Sequence, residues 1–280
     1  MDNLFSGLES MGLGGMKNLN LFDEPKKNEE QEKKKAEPVQ FDERTLILDK
    51  TFKCPVCDRE FKNKVVKAGK TKLVTQDIDL RPQYADIDAL KYGVVACPIC
   101  GYASMARTYA GLTQAQCKLI KEQIATSFTG YGKEPELYSY DDAIARHKLA
   151  LLNTVVKRAK TSERAYMCLL IAWLLRGKRN SLPENTPNRD AALVSLKAEE
   201  TDFLSKARDG LKEAFQKEAF PLCGLDENTS IYMVAALCYE TGMHEESLRW
   251  ASRLITSTSA NDRIKERARN LKTLINSEDA

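Results

Sequence analysis

Two short motifs, Cys54-Pro55-Val56-Cys57 and Cys97-Pro98-Ile99-Cys100-Gly101, constrain this chain more than anything else in it. Two residues between thiols let one tight turn aim both sulfurs at a single point, and N–H groups of the turn can hydrogen-bond to sulfur charge. Proline and glycine suit that turn. Two matching turns supply four sulfurs, enough to close a tetrahedral site with no position left for a substrate water. The spacing predicts one structural Zn²⁺ held by Cys54, Cys57, Cys97 and Cys100. A redox reading explains one CxxC but not a second matching pair, and it expects a βαβ setting rather than a strand-rich one. The 39 residues between Cys57 and Cys97 exceed the gap in many zinc ribbons. Candidate strands at 46–52, 62–68, 73–80 and 92–96 make the span a strand-rich insert that can bring the knuckles together.

The rest of the sequence sets the context. Eight cysteines without a secretory leader read as thiols of a reducing compartment, so the chain is expected to be cytoplasmic. The longest near-continuous apolar run, Ala165 to Leu175, falls well short of the roughly 20 residues of a membrane span. A net charge of +3 excludes bulk attraction to polyanions. Cys117, Cys168, Cys223 and Cys238 are scattered and read as small core residues. His147 and His244 read as surface or cap residues, and no Cys/His or Ser/His pairing supports nucleophilic catalysis.

Four regions follow from composition and periodicity. Residues 1–24 are rich in apolar side chains and glycine, and Phe5, Leu8, Leu13, Leu19, Leu21 and Phe22 form a candidate partner-binding motif. Residues 25–44 are a charged linker with little to bury, expected to be disordered. Residues 45–112 are the zinc-ribbon-like module. Residues 113–280 carry three- and four-residue apolar steps, which predict helices at 113–127, 141–160, 162–176, 190–219, 228–241, 244–257 and 261–276. The fold class is α+β: a small strand-rich zinc module followed by a larger all-α helical-hairpin domain. The 165–175 segment is apolar almost all round and is expected to be the centre of the rear core, with Trp173 buried. That core should let the helical half stand when the front loses its metal.

Ile231 to Ile255 has the look of a tetratricopeptide-type hairpin. Ala235, Ala236, Leu237 and Tyr239 lie on its first helix, Thr241-Gly242-Met243 makes the turn, and Leu248, Trp250, Ala251 and Leu254 lie on its second. Tyr166 to Gly177 with 190–219 reads as a degenerate second copy. A generic helical bundle explains much of the same pattern.

Arg59, Lys62, Lys64, Lys67, Lys70 and Lys72 crowd into fourteen residues. They could contact phosphate, with Phe61 and Tyr84 stacking on bases. The preferred reading is a solvated strand surface that offsets the negative tetrathiolate. Asp77, Asp79 and Asp86 are clustered carboxylates of the insert, but they lack a partner base or an open metal site, so an enzyme is disfavoured.

The stretches Phe52 to Cys57, Asp77-Ile78-Asp79-Leu80-Arg81-Pro82-Gln83-Tyr84, Leu90, Tyr92 and Cys97 to Ala103 resemble the bacterial proteins grouped as domain of unknown function 2225. The likeness continues through Ala172 to Gly177 and Gly224 to Glu227, and the N-terminal segment is similar too. The resemblance implies a zinc-knuckle front and a TPR-like rear, with no activity attached. The first knuckle departs from the family pattern, with Asp58 where glycine is usual, which implies a slightly different turn. The function expected from all this is a non-enzymatic zinc-binding scaffold with a protein partner. The alternative is a nucleic-acid-associated factor using the lysine-rich strands.

Overall fold

Residues 42–278 are described by a computed structural model. The expectations for residues 1–41, including the candidate motif from Phe5 to Phe22, lie outside the described residues. Asp42, Glu43 and Arg44, assigned to the charged linker by composition, are instead held in place. Asp42 accepts from the Arg44 N–H at 3.0 Å, and Glu43 accepts from the Tyr92 hydroxyl at 2.7 Å and from Lys91. They open a 3₁₀ turn, Glu43–Leu46.

Three antiparallel hairpins follow. β1 (Ile47–Lys53) pairs with β2 (Glu60–Val66), Phe52 standing opposite Phe61 and Asp49 opposite Lys64. Strand alternation turns Phe61 and Asn63 inward and leaves Lys62 in solvent. β3 (Leu73–Gln76) pairs with β4 (Pro82–Tyr84), and β5 (Val94–Ala96) with β6 (Ala103–Met105), the last two buried along their whole length. The strand expected over 73–80 stops at Gln76. Asp77 donates its N–H to the Arg81 carbonyl at 2.9 Å, Leu80 donates back to Asp77 at 3.0 Å, and Leu80 takes a φ of 64°. β4 and β6 fall outside the predicted strands. Each is three residues long; one opens on a proline and the other follows a knuckle at once.

Seven α-helices follow among the described residues, close to their predicted positions: α1 (Gln114–Ile120), α2 (Tyr140–Val156), α3 (Thr161–Asn180), α4 (Arg189–Lys217), α5 (Glu227–Glu240), α6 (His244–Thr256) and α7 (Asp262–Glu278). Capping boxes start two of them, Thr113 with Gln116 for α1 and Ser139 with Asp142 for α2. α3 has no cap of its own. The Glu218 carboxylate, just past the end of α4, takes the Ser162 N–H at 3.0 Å and its hydroxyl at 2.6 Å, which sets α3 and α4 antiparallel. α5 ends in a Schellman turn: Gly242, at φ 75°, donates to the Tyr239 carbonyl at 2.9 Å and Met243 donates to Cys238 at 2.8 Å. That turn folds α6 back on α5, and α7 packs on both.

α3 is the centre of the larger core, buried at every position from Met167 to Gly177. The same core takes in Val94 and Ala96 of β5 and Ala103 and Met105 of β6. No seam therefore falls at residue 112, and Asp42 onward forms one compact unit. A second core joins α5, α6 and α7 around Ala235, Leu254 and Leu271. No helix among the described residues is long and apolar enough to cross a membrane.

Candidate metal centre

Each cysteine pair sits on the tip or the base of a hairpin. Cys54 to Asp58 form the turn between β1 and β2, and Cys97 to Gly101 the turn between β5 and β6. The two turns close the same hydrogen bonds. Asp58 donates to the Cys54 carbonyl at 2.9 Å, and Gly101 to the Cys97 carbonyl at 3.1 Å. Cys54 donates to the Arg59 carbonyl at 2.9 Å, and Cys97 to the Tyr102 carbonyl at 2.8 Å. Asp58 and Gly101 both adopt left-handed backbone, with φ of 59° and 72°. The absent glycine does not change the first turn; aspartate is among the few residues that tolerate this conformation.

The four sulfurs lie within 4.8 Å of one another. Cys54 and Cys100 are 3.5 Å apart, and Cys57 and Cys97 3.7 Å. Zn–S bonds of about 2.3 Å would set tetrahedral sulfurs about 3.8 Å apart, so this donor set fits a tetrahedral thiolate-bound cation. Three of the cysteines are buried and Cys57 is half-buried. The Val56 N–H points at Cys54 Sγ from 3.4 Å. Hydrogen bonds from the Cys100 and then the Cys97 thiol hold Cys54 far below an ordinary thiol. Its bonds to Cys54 and Cys97, and then burial, push Cys100 far up. A divalent cation takes the place of thiol protons when cysteines ligate it.

The walls are aromatic. Phe61 lies against Phe52 and Tyr109, and Tyr102 against Tyr109. Phe61 is 8% exposed, so it is not free to stack on a base. Behind the second knuckle, a Cβ on Gly101 would come 2.6 Å from the Phe128 ring, and the Gly101 carbonyl accepts from Asn153 of α2 at 2.9 Å. Cys117 stands beside the first knuckle and donates to the Pro55 carbonyl at 3.5 Å. Cys168 and Cys238 are buried as expected, whereas Cys117 and Cys223 are only half-buried.

The lysine-rich stretch does not make one face. Arg59, Lys62, Lys70 and Lys72 are exposed. Lys64 pairs with Asp49 at 3.0 Å, and Lys67 donates to the Thr45 carbonyl at 2.8 Å. An open cleft brings Lys62, Lys64 and Lys133 together with Asp49, Glu134 and Glu136, three carboxylates among three ammonium groups.

The Asp77–Tyr84 stretch reaches into the helical core, which no local pattern in the chain announces. Asp79, with no exposed surface, accepts from Trp173 Nε1 at 2.9 Å and from Arg176 Nη1 at 3.0 Å. Arg176 also donates to Glu200 of α4 at 2.7 Å and to Asp77 at 3.2 Å, and it pairs with Glu240 of α5 at 3.3 Å. Arg81 pairs with Asp88 at 2.9 Å. Burial alone would lower the Arg176 pKa; Asp79, Glu240 and Glu200 raise it instead. Both Asp79 oxygens are occupied, so the residue ties the β3–β4 turn to α3, and Arg176 carries the tie on to α4 and α5. His147, expected at the surface, is 1% exposed, and its Nδ1 lies 2.7 Å from the Ala143 carbonyl. Burial lowers its pKa to about 4. One full turn back along α2, that carbonyl lets an imidazole sit neutral in the core. His244 does stand at a helix start, stacked on Tyr239.

Fold and site together define an α+β protein with four cysteines gathered at metal-ligand distance. Over residues 47–275 the chain matches the model of a family described as an uncharacterized protein conserved in bacteria (DUF2225), and it belongs to that family. No curated protein and no solved structure matches it.

Proposed function

We propose that Cys54, Cys57, Cys97 and Cys100 hold one structural Zn²⁺, and that the chain is a non-enzymatic cytoplasmic scaffold that binds a protein partner through its TPR-like helical hairpins. The observation that carries the metal reading is the pair of 3.5 and 3.7 Å sulfur separations between two turns 39 residues apart in sequence. Four thiolates fill the coordination shell of zinc, so the ion would cross-link β1–β2 to β5–β6 rather than activate water. The scaffold reading is supported by consecutive helical hairpins, α3 with α4 and α5 with α6, since stacked hairpins present extended binding surfaces. The nucleic-acid alternative is not adopted, because carboxylates interleave with the lysines of β2.

Metal analysis of the full chain purified under reducing conditions tests the first part. One zinc per chain is expected, lost in Cys54→Ser and in Cys97→Ser. A zinc-free chain with all four thiols open to alkylation would sink it. Affinity capture tests a separate expectation, that residues 1–24 are a recognition element: their deletion should leave zinc content and melting temperature nearly unchanged while removing at least one captured protein. Identical capture by both forms would exclude the N-terminal motif as a recognition element.

A further inference from the structure

A cleft of about 320 Å³ opens to solvent between the 3₁₀ turn Ala106–Thr108, the head of α3 and the stretch from Pro221 to Gly224. That volume is at the small end of ligand sites. Met105, Pro221 and Cys223 give it apolar walls. Burial pushes the Cys223 thiol pKa up, so that wall carries no charge.

The charges around the cleft do not cancel. Arg107 and Lys160 line it, and neither forms an ion pair among the described residues. The carboxylate in the lining, Glu163, is paired with Lys157 at 2.5 Å. Glu218 is spent on the Ser162 N–H and hydroxyl, at 3.0 and 2.6 Å. The Glu163 and Arg164 N–H groups donate to the Lys160 carbonyl at 3.1 and 3.3 Å. The head of α3 thus finds its acceptors within the chain, and the uncompensated charge of the cleft is that of two side chains.

Arg107 is set in place by a tight turn. Leu222 donates to the Leu225 carbonyl and Leu225 donates back, both at 2.9 Å, with Cys223 and Gly224 at φ of 50° and 89°. Two successive left-handed residues are the pattern of a type I′ turn. Arg107 donates from Nη2 to the Cys223 carbonyl at 2.7 Å, and its guanidinium lies 5.2 Å from the centre of the Tyr166 ring. A Cβ on Gly224 would come 3.4 Å from Nη1, so glycine leaves the guanidinium its room. A guanidinium carries five N–H donors, and one hydrogen bond leaves most of them for a ligand. A side chain already held on two sides loses little freedom when it binds.

We propose that this cleft binds a small organic acid, its carboxylate taken by Arg107 and Lys160 and its apolar body lying against Met105 and Pro221. Guanidinium and ammonium groups make charge-assisted hydrogen bonds to carboxylate, which are stronger than neutral ones. Apolar walls favour a carbon body over a bare inorganic ion. The inference stands apart from the metal and scaffold readings, since none of these residues ligates the cysteine-bound ion or belongs to the α5–α6 hairpin.

The test titrates the full chain with benzoate, and with benzamide, which keeps the ring without the charge. Binding is read by calorimetry and by amide shifts in ¹H–¹⁵N spectra. Benzoate should saturate a single site in the millimolar range or tighter, moving the amides of Thr108, Ser162 and Gly224; benzamide should not. Lys160→Gln, which breaks no ion pair, should keep the wild-type melting temperature and bind benzoate about 10-fold more weakly, the effect of losing one hydrogen bond to a charged group. Arg107→Gln should weaken binding at least as much, and if it loosens the Cys223 turn, Lys160→Gln decides alone. Benzoate that does not saturate, benzamide bound as tightly as benzoate, or full benzoate affinity in Lys160→Gln overturns the inference. Inorganic phosphate bound more tightly than benzoate at the same amides also overturns it, since the apolar walls would then play no part.

Discussion

Residues 54–59 and 97–102 build the same turn in opposite surroundings. The first closes a hairpin whose outer face is in water, and Asp58, with its left-handed backbone, is exposed. The second is packed into the molecule: Gly101 is buried under Phe128, its carbonyl is tied to Asn153, and β5 and β6 share a core with α3. Backbone geometry is what a metal turn requires, and a side chain at its fifth position is tolerated only where solvent receives it. The difference also bears on what the metal joins. The sequence suggested a front module able to melt while the rear stayed folded; here β5–β6 is part of the helical core, and β1–β2 packs through Phe61 in a second core with Ile120 and Ile124.

The largest way to break that comparison is through the core the second knuckle shares. Trp173→Ala should cost about 3–5 kcal/mol in urea unfolding, since a large buried ring is removed and Asp79 loses a donor. The same variant should release zinc to a chelator faster than wild type. A native midpoint would show that α3 does not support the metal centre. Next comes Gly101→Ala, which places a methyl 2.6 Å from the Phe128 ring at a φ of 72°. Left-handed strain and overpacking together should cost about 2–5 kcal/mol, read from the same unfolding curves.

Acid should probe the second knuckle's strand as well, because His147 Nε2 lies close to Gly93 at the head of β5. The folded pKa of about 4 lies below the ordinary 6.5, so the unfolded chain takes up a proton first as pH falls. Stability is present above pH 6.5 and is lost between there and pH 4, by about 3 kcal/mol if the shift is fully expressed. His147→Gln should flatten that part of the stability profile. A profile identical to wild type would remove His147 as its cause. The smallest effect belongs to the exposed turn. Asp58→Gly should change stability by no more than about 1 kcal/mol, because relieved left-handed strain is opposed by a more flexible unfolded chain. A loss of zinc in this variant would mean the Asp58 side chain matters in a way its exposure does not suggest.

These contrasts also mark where the sequence was readable. The four cysteines were legible because their chemistry is local to each turn. The helices were legible because apolar residues recur at three and four along 190–219 and because 165–175 is apolar almost all round, whatever they pack against. Asp79 was not: its partners Trp173 and Arg176 lie 94 and 97 residues away, and nothing near it distinguishes a buried carboxylate from a surface one. His147 failed for a related reason. Its neutrality depends on helix neighbours that cover it, and on a carbonyl every helix offers. The lysines of β2 looked like one patch because sequence cannot show which carboxylates a distant loop brings among them.

The spacing of the two knuckles has an energetic consequence. Each turn closes its hydrogen bonds within its own hairpin, but bringing the two together closes a loop of 39 residues, at an entropic cost of about 3 kcal/mol from loop length alone. Inside that loop, Asp77 and Asp79 are fastened to Arg176, which anchors its middle on α3. Contacts of the helical core therefore share a closure that an ion across the four sulfurs would otherwise hold alone.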